Sequence, residues 1–324
     1  MINNMSELTP ILVTGTHRSG TTWVGKMLAA DALTAYISEP LNVLHRPGVF
    51  HAKVNHWYQY ICEDNGNEYL PAFQELLEFD YRLWDEMRSL RSRKDFLRMG
   101  RDFLIFYNGL MRGQRALLKD PFAVFSTPWF AKHLNCKVVI TVRHPAAFAS
   151  SLKRLNWLFD FQDLLNQPLL MRDHLGPYHD EMQSIKSDDV IGQSALLWKM
   201  IYRSVHATLR HVVSSSHSQD SARELNPDFI IVRHEDLSRD PVSGYRDLYQ
   251  LLGLEFTPRV ETTILNSSSS ENPAELSRKK VHGFKLDSRA NIDIWKKRLS
   301  VDEIDRIRKM TEGTSTLYYS DAEW

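Results

Sequence analysis

The sequence predicts an α/β fold in which helices cover both faces of a parallel sheet. Short apolar runs alternate with helical patterns along the 324 residues, and several of these runs end in polar side chains. The runs expected to form strands are 11–13, 34–38, 116–118, 137–142 and 228–232. Such alternation is typical of strand–helix–strand units, whose strands run parallel. Because no internal repeat or linker interrupts the pattern, we expect a single domain over residues 1–324.

The composition is that of an ordinary globular protein. Hydrophobic residues make up 43% of the chain, and 40 Lys and Arg residues balance 40 Asp and Glu residues, so no overall charge attracts nucleic acid. Two cysteines give neither a disulfide framework nor a metal cluster. The polar N-terminus is unlike a signal peptide, and no apolar run approaches the ~20 residues of a membrane span. We therefore expect a cytoplasmic protein without a membrane span.

Three segments depart from the simple alternation. Residues 57–113 carry apolar side chains at three- and four-residue steps, which predicts a helical insertion. Residues 156–189 mix aromatic residues with Pro, Gly and acids, and their weak periodicity predicts an irregular lid loop. Residues 267–299 contain a Ser-rich loop and a basic stretch. We expect these segments to be additions to the sheet that shape its binding edge.

The stretch 11–24 is the centre of the predicted site. A buried strand leads into a loop with Gly15 and Gly20, and a helical pattern follows. The unpaired N–H groups of a first helical turn, together with the helix dipole, bind anions. Glycines let the backbone approach a phosphate closely. The sequence therefore predicts an anion site here.

The spacing of Gly15 and Gly20 is that of a P-loop, but the following residue is different. A P-loop has Lys where this chain has Thr21, and that Lys contacts the β- and γ-phosphates of Mg-ATP. The cation lies inside the loop instead, as Arg18. The fold is thus P-loop-like, and a P-loop kinase or NTPase is a disfavoured alternative. Two further alternatives are a non-catalytic nucleotide-binding module and a simple turn whose glycines are incidental.

The loop resembles the 5′-phosphosulfate loop of sulfotransferases that use 3′-phosphoadenosine 5′-phosphosulfate (PAPS). The resemblance rests on the consecutive residues His17, Arg18, Ser19, Gly20, Thr21, Thr22 and Trp23. The family usually has Lys at the position of Arg18. The resemblance implies that backbone N–H groups of residues 19–22, with the two Thr hydroxyls, hold the 5′-phosphate. It also implies that Trp23 stacks on adenine, although a place in the helix core is an equal alternative.

A second element resembles the family's 3′-phosphate site. Arg143 follows the strand 137–142, and Ser151 lies eight residues further on. Arg offers a fixed fork of donors to a phosphate, and Ser adds a hydroxyl. Arg143 alone is equally compatible with a surface salt bridge. Together with the loop, however, the pair implies a bis-phosphorylated adenosine.

Two weaker resemblances concern the adenine side and the C-terminal region. His234 stands where the family commonly has a Tyr that contacts adenine, although a packing motif that caps the next helix is an alternative. Arg289 lies in a segment similar to the family's C-terminal cofactor motif, but Ala290 replaces a Gly. Arg278 and Lys279 are expected to supply the phosphate contacts that this change removes.

The resemblance implies transfer of a sulfuryl group from PAPS to a hydroxyl of a glycan or small-molecule acceptor. In-line displacement at sulfur requires cations to stabilise the growing charge and a base to take the acceptor proton. We expect Arg18 and Lys119 to be the cations, and no metal is implied. The segments that begin at Glu39 and Lys119 resemble the bacterial branch that includes glycan sulfotransferases.

Glu39 is the predicted base. It follows the strand 34–38 and precedes Pro40, at the sheet edge where α/β proteins bind ligands. Partial burial beside a pocket would make the carboxylate more basic, as its role requires. A surface carboxylate at a strand end is the alternative. Three nearby histidines are reserve candidates: His45, His51 and His56.

Overall fold

A parallel sheet forms the centre of the molecule. The computed structural model describes residues 8–44, 46–215, 228–275 and 283–324. The strands are β1 Ile11–Gly15, β2 Thr34–Ser38, β3 Arg115–Lys119, β4 Lys137–Val142 and β5 Phe229–Arg233. Every predicted strand is therefore confirmed. The strands are ordered β2-β3-β1-β4-β5, and each pair of neighbours is parallel.

The strand register brings the carboxyl ends of the strands to one edge. Val13 and Ser38 both lie opposite Lys119, and Gly15 lies opposite Thr141. The chain segments that follow the strands consequently meet at this edge, although they are far apart in the sequence. This is the edge at which parallel α/β sheets bind ligands.

Helices surround the sheet. Their bounds are α1 Thr21–Leu28, α2 Gly66–Leu77, α3 Leu83–Ser89, α4 Arg93–Arg112, α5 Thr127–Leu134, α6 Pro145–Leu155, α7 Gln162–Leu165, α8 Pro168–Leu170, α9 His179–Ser184, α10 Val190–Ser215, α11 His234–Arg239, α12 Pro241–Leu252, α13 Pro258–Ser268, α14 Ser288–Ile292, α15 Ile294–Arg298 and α16 Val301–Thr311. None of the described helices is long and apolar enough to cross a membrane.

Side chains on successive residues of β1 belong to different cores, as the period of two in a strand requires. Leu12 packs in a large core that includes Trp198 of α10. Ile11 and Val13 pack in a second core with Val24 of α1 and Tyr249 of α12. Both faces of the sheet are therefore covered by helices, which confirms the predicted architecture.

The two predicted insertions differ in outcome. The helical insertion is confirmed as α2, α3 and α4, although residues 57–65 before α2 are not helical. The prediction of irregular structure over residues 156–189 is wrong. This segment contains α7, α8 and α9 with a π-helical turn, and Leu164, Leu170 and Leu175 are completely buried. Each helix is too short to produce the periodicity on which a sequence-based assignment depends.

Helix α6 is placed by local signals and carries two residues of the site described below. Pro145 in its first turn has the dihedral angle that a helix start needs, and the side chain of His144 accepts from the N–H group of Ala146. Asn156, with φ of 51°, ends the helix in the left-handed conformation. Ser151 and Arg154, three positions apart, consequently share one helix face.

Candidate functional site

Glycine is required at two positions of the β1–α1 loop. Gly15 has φ of +143°, and a Cβ atom there would lie 2.3 Å from the carbonyl oxygen of Thr141. Gly20 has φ of +98°, and its Cβ would lie 2.7 Å from Nδ1 of His234. Gly20 also precedes α1 without a side-chain cap. The N–H groups of the first turn are therefore not occupied by a capping side chain, which suits an anion site.

Ser19 contributes its backbone to the loop, because its side chain faces the sheet. Its Oγ donates to the carbonyl oxygen of Thr16 at 2.6 Å and lies 2.7 Å from Oγ1 of Thr141. The residue is fully buried. These contacts fix the shape of the loop below the anion site.

A cavity of about 600 Å³ opens beside the loop at the carboxyl edge of the sheet. The sequence-predicted site residues that line it are Arg18, Gly20, Thr21, Thr22, Trp23, Glu39, Arg143 and His234. These residues come from four separate chain segments. The sheet topology thus brings the predicted loop, base and 3′-phosphate residue to one cavity.

Glu39 and Lys119 form an ion pair at the edge of this cavity. Nζ of Lys119 donates to Oε1 of Glu39, and Asn42 donates to Oε2 at 2.8 Å. The backbone N–H of Glu39 also donates to the carbonyl oxygen of Lys119 at 2.7 Å. Lys119 is 2% exposed. These contacts hold the carboxylate of Glu39 and the ammonium of Lys119 together at one place beside the cavity.

Backbone strain is present at residues of the site. Arg18, Glu39 and Tyr58 adopt left-handed conformations, with φ of 66°, 53° and 58°. For residues other than glycine, such conformations cost on the order of 1–3 kcal/mol and persist where the surroundings impose them. Two of the three are predicted catalytic residues, and the third contacts the loop. The strain supports the assignment of this edge as the functional site.

Arg143 is buried against the loop. Its Nη1 donates to the carbonyl oxygen of Arg18 at 3.0 Å, and its Nη2 donates to Oδ1 of Asn291 at 2.8 Å. Its buried Nε has no hydrogen-bond partner among the described residues. Burial lowers the pKa of Arg143. The unsatisfied donor marks a position where an acceptor would be stabilised.

A smaller cavity of about 40 Å³ adjoins the loop and is lined by a cluster of guanidinium groups. The arginines that line it are Arg18, Arg143, Arg154 and Arg298, and Ser151 lies among them. The carboxylate of Glu275 pairs with two of these arginines. Its Oε1 lies 3.7 Å from Nε of Arg154 and also contacts Nη2 of Arg298. Guanidinium groups and a hydroxyl are donors that suit an anion such as a phosphate.

Arg18 points toward this arginine cluster. Its Nε donates to Oγ of Ser151 at 3.1 Å, and its guanidinium lies 5.7 Å from the ring centroid of Trp157. Burial, followed by the charges of Arg143 and Arg154, lowers the pKa of Arg18 to about 10. We expected Arg18 to face the transferred group. Its orientation here instead favours a contact with the 3′-phosphate side.

Trp23 and His234 lie edge to face at one wall of the large cavity, with ring centroids 5.6 Å apart. Trp23 is 7% exposed and donates from Nε1 to Oγ of Ser267 at 2.9 Å. These contacts support its alternative role in the helix core. Burial, followed by the charge of Arg143, lowers the pKa of His234 to about 3, so the imidazole is neutral. Its buried Nδ1 has no partner in the described ranges.

Among the predicted cofactor residues, Arg289 lies apart from the two cavities. It is exposed and donates from Nε to the carbonyl oxygen of Arg239 at 2.9 Å, and it does not belong to the residues that line either cavity. Its role as a cofactor contact stays a prediction. The short helix α14 presents Asn291 to the arginine cluster instead. Arg278 and Lys279 lie outside the described residues.

The two described reserve histidines, His51 and His56, do not line the cavity. Nδ1 of His51 lies 2.9 Å from a carboxylate oxygen of Glu75 in α2, and Nδ1 of His56 lies 3.6 Å from Asp163. His45 lies outside the described residues. Besides His234, the cavity is lined by His17, a residue of the loop motif for which the sequence predicted no separate role.

Two further residues of the arginine cluster, Arg154 and Arg298, were not predicted from the sequence. Arg154 follows Ser151 by three positions, so helical periodicity could have identified it. Arg298 donates from Nη1 to Oγ of Ser150 at 2.7 Å, a contact between distant helices without a sequence signal. Over the ranges that the structure describes, no group of three His, Cys, Asp or Glu side chains is arranged to hold a metal ion.

Comparison with known proteins gives the same assignment as the loop motif. The model of the sulfotransferase family matches residues 10–258. Carbohydrate sulfotransferase 1 of Danio rerio is 35% identical over 77 residues, which cover 24% of this chain and 18% of that protein. Carbohydrate sulfotransferase 5 of Mus musculus is 32% identical over 90 residues, which cover 27% of this chain and 22% of that protein. The chain thus matches about a fifth of the length of these relatives.

Among solved structures, the sulfotransferase domain from the curacin biosynthetic pathway aligns with 96% of this chain and 98% of its own length. The sequence identity is 17% and the TM-score is 0.47. The family match covers well over half of the chain and includes both the loop and the Arg143 element. This protein therefore belongs to the sulfotransferase family.

Proposed function

We propose that this protein transfers the sulfuryl group of PAPS to a hydroxyl group of a glycan or small-molecule acceptor. The observation that carries the proposal is that two sets of residues suited to bind phosphate lie beside one cavity. The β1–α1 loop is one set, and the arginine cluster around Ser151 is the other. A nucleotide with phosphates on both its 5′ and 3′ positions uses both sites, whereas Mg-ATP uses only the first.

The residues present fit this cosubstrate. The N–H groups of the first turn of α1, after Gly20, would hold the 5′-phosphate. Arg143 and Ser151 would hold the 3′-phosphate, and the unsatisfied Nε of Arg143 provides a donor for it. Arg154 and Arg298 add positive charge at the same place. When bound, PAPS supplies a sulfuryl group on a phosphate leaving group.

The Glu39–Lys119 pair is suited to the acceptor side of the reaction. The carboxylate of Glu39 would take the proton of the attacking hydroxyl while the new O–S bond forms. The bond between sulfur and the 5′-phosphate oxygen would break at the same time, with 3′-phosphoadenosine 5′-phosphate as the leaving group. Asn42 and Lys119 hold that carboxylate in one orientation. The ammonium of Lys119 also provides positive charge near the developing negative charge. No metal-dependent step is part of this proposal.

The lining of the large cavity suggests the class of acceptor. Its apolar lining residues include Leu44, Trp57, Pro121, Phe122, Trp157, Leu158 and Phe159. Asp160 and Asp163 add carboxylates to the lining. Aromatic faces bind apolar ring faces, and carboxylates repel anions. We therefore propose a neutral acceptor with a ring, and a panel of neutral, amino and carboxylate-bearing alcohols incubated with PAPS tests both transfer and this preference.

Nucleotide binding provides a test that does not need the acceptor. We expect 3′-phosphoadenosine 5′-phosphate to raise the melting temperature far more than 5′-AMP or ATP, because each charge-assisted contact contributes about 1.5–3 kcal/mol. Differential scanning fluorimetry measures the three shifts. In Ser151→Ala, the shift with the bis-phosphate should shrink while the shift with 5′-AMP stays the same. Equal shifts for all three nucleotides in the wild type would contradict the 3′-phosphate assignment.

Arg18 is expected to act mainly as a nucleotide anchor. Because its guanidinium lies beside Ser151, Arg18→Ala should weaken binding of 3′-phosphoadenosine 5′-phosphate by roughly 10–100-fold. Arg18→Lys should recover part of this loss, since it keeps the charge with fewer donors. Calorimetry and single-turnover rates at saturating PAPS separate binding from chemistry. A fall of ~10²–10³ in rate with unchanged affinity would instead support the catalytic role expected from the sequence.

A further inference from the structure

The half-buried His17 and the completely buried Tyr58 form a hydrogen-bonded pair at the loop. Nδ1 of His17 lies 2.7 Å from the hydroxyl oxygen of Tyr58, and the backbone N–H of His17 donates to the same oxygen at 3.3 Å. His17 lines the large cavity. Within the described part of the chain, the Tyr58 hydroxyl makes no other hydrogen bond. The positions of the protons in this pair follow from these contacts.

A backbone N–H can only donate, so the Tyr58 oxygen is the acceptor in the contact with the backbone of His17. The phenolic proton of Tyr58 then needs an acceptor of its own, because a buried hydroxyl without one costs free energy. Nδ1 of His17 is the atom in place to accept it. The proton of the neutral imidazole is therefore on Nε2. Nε2 of His17 has no hydrogen-bond partner among the described residues, and this atom is not completely buried.

The ionisation states agree with this arrangement. Burial, followed by the charge of Arg18, lowers the pKa of His17 to about 4, and the negative charge of Glu39 opposes this shift only in part. Burial raises the pKa of Tyr58, so the phenol keeps its proton. At neutral pH, His17 is consequently a neutral hydrogen-bond donor through Nε2.

The surrounding residues hold Tyr58 firmly in its strained conformation. The residue is completely buried with φ of 58°. Its ring packs edge-on against Phe122, Phe125 and Phe159, with centroid distances of 5.3, 6.0 and 5.9 Å. Nε2 of Gln167 also donates to its carbonyl oxygen at 3.3 Å. Strain that is imposed from several sides at a site indicates that the position of the side chain matters.

We propose that His17 is a further catalytic residue, whose Nε2–H donates a hydrogen bond to an anionic oxygen of the sulfuryl group, and that Tyr58 is the positioning residue that fixes this tautomer. The inference rests on the proposed function. His17 belongs to the phosphate loop, and it lines the same cavity as Arg18 and Glu39. A fixed donor at developing negative charge contributes ~10²–10³ in rate.

The same proton arrangement excludes His17 as the general base. Nδ1 is occupied by the Tyr58 proton, and Nε2 already carries a proton. The proposal therefore complements Glu39 rather than replacing it.

The tautomer can be measured directly in the free protein. Nitrogen NMR of the His17 imidazole should show an unprotonated Nδ1 and a protonated Nε2 at pH 7. Tyr58→Phe keeps the packing and removes the hydroxyl, so it should give a mixture of tautomers. Tyr60→Phe is the matched control, because its hydroxyl donates to Asp173 at 3.1 Å and Tyr60 does not line the cavity. A proton on Nδ1, or an imidazolium in the wild type, would overturn the proposal.

Kinetics then test the catalytic role. His17→Phe should lower kcat by ~10²–10³ with little change in the affinity for 3′-phosphoadenosine 5′-phosphate, and His17→Gln should recover part of the loss because its amide still donates. Tyr58→Phe should lower kcat without changing KM for PAPS, and Tyr60→Phe should do neither. Normal kcat in the His17→Phe protein would overturn the donor role. Equal losses of kcat and of affinity for 3′-phosphoadenosine 5′-phosphate in this variant would overturn it as well. A wild type that binds no bis-phosphate would instead overturn the proposed function, and this role with it.

Discussion

Replacement of Glu39 by Gln is expected to lower kcat by ~10²–10⁴ while binding of 3′-phosphoadenosine 5′-phosphate persists. Gln keeps the shape of the side chain but cannot accept the acceptor proton. Its amide can still contact Asn42 or Lys119, so the local fold should be preserved. Steady-state kinetics with PAPS and isothermal calorimetry with the bis-phosphate measure the two quantities side by side.

The matched control for this change is Glu63→Gln. Glu63 is an exposed carboxylate that pairs with Lys132 and His133 and does not line the cavity. Its replacement should leave kcat and nucleotide affinity unchanged. Full turnover of Glu39→Gln would show that the base has been misassigned. The described histidines His51 and His56 would then be tested next, together with His45.

Replacement of Lys119 by Met is expected to lower kcat by ~10²–10³, the scale of losing one preorganised electrostatic group. Met keeps the length and apolar stem of the side chain, but Glu39 loses its cation. The carboxylate of Glu39 is then poorly oriented and lacks the charge that balances it at a half-buried position. The affinity for 3′-phosphoadenosine 5′-phosphate should change little, because Arg143 and Ser151 are intact.

A double variant tests whether the two residues act as a unit. If they do, Glu39→Gln combined with Lys119→Met should lose little more activity than Glu39→Gln alone. Lys132→Met is the control, since it breaks the exposed pair with Glu63 and surface pairs contribute at most about 1 kcal/mol. Multiplicative losses in the double variant, or a Lys119→Met protein with normal kcat, would contradict a coupled pair.

Local sequence patterns predicted the strands and the loop correctly for a clear reason. Each strand is a continuous apolar run because a parallel sheet is buried on both faces. The loop required glycine at Gly15 and Gly20, where a Cβ atom would collide with Thr141 or His234. The residues that follow each strand meet at one edge in any parallel sheet. The cavity at that edge could thus be anticipated, together with Glu39, Arg143 and the loop.

The segment 156–189 shows where these patterns fail. Its helices α7, α8 and α9 are at most six residues long, less than two turns, so apolar residues do not recur often enough to indicate a helix. The aromatic residues of this segment nevertheless belong to the site, since Trp157 and Phe159 line the cavity.

By itself, the sequence determined the fold class, the anion-binding loop and the Arg143–Ser151 element, because each depends on residues that are close along the chain. Only the tertiary structure decided which side chains meet. It paired Arg18 with Ser151, Lys119 with Glu39, and His17 with Tyr58. These contacts depend on the strand order β2-β3-β1-β4-β5, and no local pattern encodes that order. The physical reason is that hydrogen bonds and ion pairs form across space, between segments that only the packed sheet brings together.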